Sequence, residues 1–381
     1  MGIMGNTTSL SRFQVGEIPG ALKLELIDVG KGIHNRLWIH RFRSIADNAE
    51  EMSAGWVELR NHKSTKFPAE DICIGHHIGL SIRIDERRIP PAVLKERTEE
   101  AMEDYLAKNP DISRISKMMR EEIKERVKKQ LLPQTLPVPS VYDLIWNTET
   151  GEIWFANTST KGIELLDMMW RKTFPEISLR MMAPYDIAAA SIESNLLDSL
   201  AQANQASSQS LLDMMVSNKW LGQDFLLWFL HESVSSTEPE GALSSAWTDD
   251  KVVVQGNNEA GKTVVSITGP QAKISELKAA LREGKQITEA TMYFQRHADE
   301  SEWKLTFKGE TFHMNGYKCP SVHIEADGDP DAERQAVFLE RVSLIRTGID
   351  LLQQDLRRFL TVRLTDRWSE CQETIREWLA E

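Results

Sequence analysis

The sequence predicts an α+β fold, in which mixed short antiparallel sheets pack with long helices. Residues 9–15 and 72–84 alternate in polarity or are rich in β-branched residues, as half-buried strands are. Segments with a helical spacing of apolar residues lie between strand candidates, without the regular βαβ repeat of a parallel sheet. The composition, 41% hydrophobic and 27% charged, is that of an ordinary globular protein.

Residues 1–190 are predicted to be one α+β domain that contains a helix over residues 111–132. Asn109-Pro110-Asp111 supplies a side-chain N-cap and a proline that the first helical turn tolerates, and Pro133 marks the end. Apolar residues recur every three or four positions between these ends: Ile112, Ile115, Met119, Ile123, Val127 and Leu131. This spacing predicts one buried face.

A second stripe of the same helix is basic. Its members are Arg114, Lys117, Arg120, Lys124, Lys128 and Lys129. Seven basic and four acidic residues lie between positions 111 and 132, a net charge of +3, whereas the whole chain carries −12. Such a stripe is either a solvated face with i,i+4 ion pairs or a surface that binds a phosphate backbone, and the helix alone favours the solvated face.

A β-hairpin is predicted over residues 141–156. The connector before it, LLPQTLPVP, carries three prolines, which exclude a helix there. Gly151 lies in the turn between two apolar segments, and another helix begins at Ser159 or Thr160.

Residues 191–222 separate the two predicted domains. This segment is polar and repetitive, and it is either a surface helix or a partly ordered linker. Residues 223–381 are predicted to form a second α+β domain, with strands over 251–255, 263–267, 287–294 and 303–307.

The chain closes with a long helix. Its apolar residues alternate spacings of four and three, which is a heptad seam: Phe338, Val342, Ile345, Ile349, Leu352, Leu356 and Phe359. The favoured interpretation is packing onto the strands of the same chain, and the alternative is assembly with a partner.

Residues 256–263, GNNEAGKT, complete the pattern of a phosphate-binding loop. In such a loop the backbone between Gly256 and Gly261 cradles phosphates, Lys262 reaches the terminal phosphates and Thr263 holds magnesium. The next residues, VVSITG, are β-branched where the motif requires a helix. A β-hairpin is therefore the favoured interpretation, and a nucleotide hydrolase is the alternative.

No cofactor or metal site and no catalytic motif is predicted. Cys73, Cys319 and Cys371 lack a CxxC spacing, which favours a reducing compartment. The N-terminus has no apolar signal segment, and no apolar run is long enough to span a membrane, so a cytoplasmic location is expected. Because the pI is near 5.4, any contact with DNA is expected to be confined to a patch.

The order of these segments resembles the recombination-associated protein RdgC family. The resemblance is carried by PPAVLK at 90–95, the long charged helix, KKQLLP at 128–133, and VYDLIWNTETGEIWFANTSTKGIELL at 141–166. In that family a helix that ends in Leu-Leu-Pro leads into a β-hairpin of this kind and then into a helix. The similarity extends along nearly all of the chain.

The resemblance implies a non-catalytic, nucleoid-associated protein that binds double-stranded DNA with little sequence preference. It also implies a ring-shaped homodimer with a basic inner surface, which restrains a RecA-type recombinase by occupying DNA. The basic stripe from Arg114 to Lys129 then becomes the expected DNA contact. Leu136 holds the position of the apolar side chain that closes the ring, where some family members have an aromatic residue.

Overall fold

The computed structural model describes residues 2–17, 31–48, 50–235, 243–258, 261–269, 274–324 and 328–381, with the backbone alone for Lys31, Asn257 and Asn258. The strands are β1 (Thr7–Val15), β2 (Met52–Glu58), β3 (Cys73–Ile74), β4 (His77–Arg87), β5 (Pro137–Asn147), β6 (Glu152–Phe155), β7 (Leu179–Met181), β8 (Ser244–Asn258), β9 (Gly261–Thr268), β10 (Gln286–Arg296), β11 (Glu302–Lys308) and β12 (His313–Lys318).

The helices surround these strands. They are α1 (Lys31–Ile39), α2 (Ala69–Ile72), α3 (Pro91–Lys108), α4 (Lys117–Leu131), α5 (Thr160–Thr173), α6 (Pro184–Ser191), α7 (Leu197–Ala203), α8 (Leu211–Ser217), α9 (Trp220–Ser235), α10 (Ile274–Arg282), α11 (Pro330–Arg363) and α12 (Arg367–Ala380).

The described strands form one antiparallel sheet, in the order β2-β4-β5-β6-β1-β12-β11-β10-β8-β9. Off this path, β3 pairs with β4 and β7 pairs with β1. A large antiparallel sheet among helices agrees with the predicted α+β class. The strands predicted from the sequence are present, including the β5–β6 hairpin, except that residues 72–84 form the short β3, a turn and β4 rather than one strand.

Strand β1 joins two halves of this sheet. Its first residues, from Thr7 to Leu10, pair with β12, and the next, from Ser11 to Gln14, pair with β6. We call β2, β4, β5 and β6 the N-terminal half-sheet and β8–β12 the C-terminal half-sheet. The division into domains at residues 190 and 223 stays a prediction, and in this structure both halves belong to one sheet.

Helices α1 and α5 cover one face of the N-terminal half-sheet. Ser159 caps α5 by accepting a hydrogen bond from the amide of Gly162 at 3.2 Å. The buried face of α5 places Trp170 against Trp146 of β5, with ring centroids 5.2 Å apart. These edge-to-face aromatic contacts fix the helix on the sheet.

Helices α9 and α11 pack on the C-terminal half-sheet, and α11 continues across the other face of the N-terminal half. Every residue of the predicted heptad seam is at most 7% exposed. The favoured interpretation is confirmed, since the seam packs within the chain. Trp303 Nε1 and Tyr317 Oη donate to the carbonyls of Leu344 and Ile345, at 2.8 and 2.9 Å.

Residues 191–222 contain α7 and α8, which are short. Leu200 and Met214 bury against the rest of the chain, whereas Leu212 stays 74% exposed. The segment therefore contains short helices joined by loops, and its assignment as a boundary between domains stays a prediction.

Gly348 is the point of closest approach between α11 and the sheet. A Cβ atom at this position would lie 2.1 Å from Tyr317 Oη and 2.5 Å from Trp303 Cδ1. We expect Gly348→Ala to lower the free energy of unfolding by about 1–3 kcal/mol through overpacking, although alanine favours a helix by about 1 kcal/mol. Urea unfolding measures the difference.

Ser343→Ala is the matched control, because Ser343 is exposed on the same helix. Its stability should stay within about 0.5 kcal/mol of wild type. A Gly348→Ala protein as stable as the control would contradict the packing of α11 described here.

Candidate nucleic-acid interface

Helices α3 and α4 form a helical hairpin with a small core of its own. Ile115, Ile123 and Val127 are buried there. Side chains of α3, including Leu94, Met102, Tyr105 and Leu106, pack against them. This cluster is separate from the two large cores, so the α3–α4 hairpin is an appendage of the sheet rather than part of its covering layers.

Helix α4 begins at Lys117, and the predicted start at Asp111 is wrong. Ser116 is the N-cap, since its Oγ accepts a hydrogen bond from the amide of Met119 at 3.2 Å. Asn109 instead ends α3, because a residue before proline avoids the helical region and Asn109 has φ −132° and ψ 71°. Arg114 therefore lies in the turn before the helix.

We call the predicted basic stripe the cationic stripe. Its members are Arg114, Lys117, Arg120, Lys124, Lys128 and Lys129. Lys128 is half-buried and the other five members are exposed. The buried face of α4 holds Ile123 and Val127, so the stripe lies on the surface of the hairpin.

Two members of the stripe have carboxylate partners. Lys128 Nζ lies 3.0 Å from Glu51, and this hydrogen bond raises the pKa of Lys128. Lys124 Nζ lies 3.9 Å from Glu121, one turn away. Among the described residues, the other four members, Arg114, Lys117, Arg120 and Lys129, have no ion-pair partner. Within α4 the described ion pairs of the stripe are therefore limited to one, at i,i+3 spacing, and both interpretations of the stripe stay predictions.

The two helices of the hairpin differ in charge. Helix α3 carries five acidic and three basic residues. Two of its cations pair within the helix, Lys95 with Glu99 and Arg97 with Glu100. Because α4 is basic and α3 is acidic, the positive potential is concentrated on one helix of the hairpin.

Arg87, at the end of β4, fastens this hairpin to the sheet. Its side chain is 4% exposed, and its guanidinium donates to main-chain carbonyls alone. The partners are Ile45 at 2.7 Å, Asn48 at 2.9 Å, Glu50 at 3.1 Å, Leu132 at 3.2 Å and Thr135. Leu132 is the C-cap of α4, where unsatisfied carbonyls carry the negative end of the helix dipole. A buried cation thus stabilises the C-terminal end of α4.

Leu136 follows this anchored segment. It lies between a 3₁₀ turn (Leu132–Gln134) and β5, and it is 82% exposed. Val138, two residues further on, is 49% exposed. Leu136 is therefore exposed at the position where the family resemblance places the ring contact.

The GxxxxGKT segment is a β-hairpin. Gly256 pairs with Thr263 and Asn257 pairs with Lys262, in the antiparallel register of β8 and β9. Glu259 and Ala260 lie outside the described residues. The chain continues as strand β9 where a phosphate-binding loop requires a helix. The hairpin interpretation is confirmed, and the nucleotide-binding alternative with Gly256, Gly261, Lys262 and Thr263 is not supported.

The described part of the chain contains no group of three or more His, Cys, Asp and Glu side chains arranged to hold a metal ion. None of its helices is long and apolar enough to cross a bilayer.

The fold and this surface define an α+β protein in which a helical hairpin with one cationic helix, α4, lies at the side of a large antiparallel sheet. Residues 27–208 match the family model described as "Putative exonuclease, RdgC". The match covers 182 of the 381 residues and supports an RdgC-like protein, as the segment order predicts. The matched region includes α3, α4 and Leu136. No curated protein matches the chain.

Replacing Arg87 tests how the hairpin is held. Arg87→Met removes the guanidinium and leaves buried carbonyls without donors, each at a cost of about 1–3 kcal/mol. We expect amide hydrogen exchange to accelerate over residues 117–136, while exchange in α5 and α11 stays at the wild-type rate.

Arg88→Met is the matched control, because Arg88 is exposed and pairs with Glu86. It should leave the exchange rates of residues 117–136 unchanged. Equal exchange in the two variants would contradict the anchoring role of Arg87.

Proposed function

We propose that this protein binds double-stranded DNA without reading its bases, through the cationic stripe of α4. The observation that carries the proposal is a group of exposed cations without carboxylate partners, in a protein whose net charge is −12. Arg114, Lys117, Arg120 and Lys129 form this group. A protein this acidic repels DNA over most of its surface, so an unneutralised basic helix is a region that complements the charge of DNA.

Phosphates are the expected ligands of this stripe. Lysine and arginine side chains on an exposed helix reach phosphate oxygens and release condensed counterions. Such contacts position a protein on the duplex but carry no sequence information. The RdgC family match, which covers the whole of α4, supports an interaction with DNA.

We further propose that two copies form a ring-shaped homodimer around the duplex. Leu136 would close the ring by meeting its counterpart in the second copy. Its support is the exposure of Leu136 and Val138 immediately after α4, on the segment that Arg87 holds in place. Basic helices from both copies would then face the same duplex.

The biological consequence of the proposal is occlusion. A homodimer that occupies DNA in the cytoplasmic nucleoid limits the access of a RecA-type recombinase to the same duplex. The description of the matched family names a putative exonuclease. We propose binding without cleavage, so an end-labelled duplex should stay intact when it is incubated with the protein and Mg²⁺.

A salt titration tests the stripe directly. Each phosphate contact contributes about −0.9 to the slope of log K against log salt. We expect Lys117→Gln/Arg120→Gln/Lys129→Gln to reduce the steepness of that slope by about 2.7. Fluorescence anisotropy with a labelled duplex of arbitrary sequence measures it.

The charge-matched control is Lys63→Gln/Lys66→Gln/Lys172→Gln, which removes three exposed lysines elsewhere on the chain. This control should keep the wild-type slope. If both triple variants flatten the slope equally, the effect is one of net charge and the stripe is only a solvated face.

Leu136→Cys tests the dimer contact. A disulfide forms only when two Cα atoms lie about 4.4–6.8 Å apart, so a symmetric contact at this residue should give a cross-linked dimer under mild oxidation. Non-reducing electrophoresis detects it. Met118→Cys is the control, since Met118 is 81% exposed but lies at the other end of α4. If neither variant cross-links, or if both cross-link equally, the proposed dimer contact at Leu136 is wrong.

A further inference from the structure

The C-terminal half-sheet has one face that no described helix covers. Phe294, Leu305 and Phe307 point to the face that packs against α9 and α11. Their neighbours in sequence alternate to the opposite side, where Thr306 and Lys308 remain partly exposed. We call this opposite side the open face.

Strand register places five side chains of the open face in one row. Thr7 of β1 pairs with Lys318 of β12, and Lys318 pairs with Lys304 of β11. Lys304 pairs with Tyr293 of β10, and Tyr293 pairs with Trp247 of β8. From Lys318 to Trp247 the row crosses three strand spacings, or about 14 Å.

One end of the row is aromatic. The rings of Trp247 and Tyr293 are stacked, with centroids 5.4 Å apart and planes within 8° of parallel. Lys304 Nζ lies 5.0 Å from the Tyr293 centroid, so a cation and an indole flank the phenol ring. Both aromatic residues are half-buried. The described part of β9 pairs with β8 only from Lys251 onward, so no described strand continues the sheet beside Trp247.

The other end of the row is cationic. Lys304 and Lys318 lie directly opposite each other on neighbouring strands, an arrangement of like charges that destabilises a sheet. Asp250 pairs with Lys304 and also accepts a hydrogen bond from Tyr293 Oη. Lys318 is exposed and has no ion-pair partner among the described residues.

The open face as a whole has more cations than carboxylates. Strand register, together with the contacts of Asp250 to Tyr293 and Lys304, places the following charged residues on it: Lys251, Lys262, Lys304, Lys308 and Lys318, with Asp249, Asp250, Glu289 and Glu302. Lys308 lies 3.7 Å from Glu289. This excess of positive charge, in a chain of net charge −12, indicates an anionic ligand.

We propose that this row binds a single nucleic-acid strand, with phosphodiester groups at Lys304 and Lys318 and a base on the Trp247–Tyr293 pair. Aromatic platforms beside a basic track are how single strands are held without sequence preference. A duplex cannot use the platform, because its bases are stacked on each other and paired. The site goes beyond the duplex contact at α4, shares no residue with it, and does not depend on it.

A labelled fifteen-residue oligothymidylate, titrated by fluorescence anisotropy, tests the site. Each phosphate contact on a single strand contributes about −0.7 to the slope of log K against log salt. Lys304→Gln/Lys318→Gln should therefore reduce the steepness of this slope by about 1.4. Trp247→Leu should weaken binding about tenfold, since one base loses its stacking partner. Lys66→Gln/Lys172→Gln removes the same charge elsewhere and should bind as wild type does.

A photo-cross-link locates the strand independently of affinity. An oligonucleotide that carries 5-iododeoxyuridine should cross-link to peptides from β8 or β10, identified by mass spectrometry. The lysine variant keeps the test decisive if Trp247→Leu does not fold, because Lys318 is exposed and outside the core.

Wild-type binding by Lys304→Gln/Lys318→Gln, or cross-links confined to α4, would overturn the proposal. Its failure is distinguishable from failure at α4. The Lys117→Gln/Arg120→Gln/Lys129→Gln protein should lose duplex binding and keep the oligothymidylate, and loss of both ligands in that protein would place the strand on α4 instead.

Discussion

The structure depends on β1, a single strand that both half-sheets share. Its first residues complete the C-terminal half-sheet and its last residues complete the N-terminal half-sheet. Arg12 of this strand pairs with Glu152 of β6 at 2.7 Å, and Arg346 of α11 pairs with the other oxygen of the same carboxylate at 2.7 Å. Burial opposes the ionisation of Glu152, yet the two guanidinium groups outweigh it and hold its pKa below the ordinary value. The buried carboxylate of Glu152 thus links α11 to the shared strand through Arg346, which is partly exposed, and Arg12.

The candidate interface rests on a second buried arginine. Arg87 ends β4 and binds carbonyls from the segment 45–50 and from the C-terminal end of α4. Because the guanidinium has only carbonyl partners, its charge also stabilises the negative end of the α4 dipole. The α3–α4 hairpin has little core of its own, so this junction, together with the contact between Lys128 and Glu51, sets where the cationic stripe points.

The sequence predicts regular elements of this protein well and their junctions poorly. Alternation and β-branching locate the strands, and heptad spacing locates α11 and its buried face. The predicted start of α4 is wrong because Asn109 and Ser116 are both residues that commonly cap helices. Asn109 precedes a proline and ends α3, and Ser116 is the N-cap of α4. The role of Arg87 leaves no local signal, since its partners lie some 40 residues away on either side. The row across the open face likewise depends on the register of five strands, which no local pattern contains.

The central claim is that the exposed cations of α4 contact DNA phosphates in the intact protein. Lysine acetylation with and without duplex, followed by mass spectrometry, tests it most directly, because a lysine that holds a phosphate is protected from the reagent. We expect duplex to protect Lys117 and Lys129 and to leave Lys66 and Lys172 fully reactive. Equal labelling of Lys117 and Lys129 with and without bound duplex would contradict the claim.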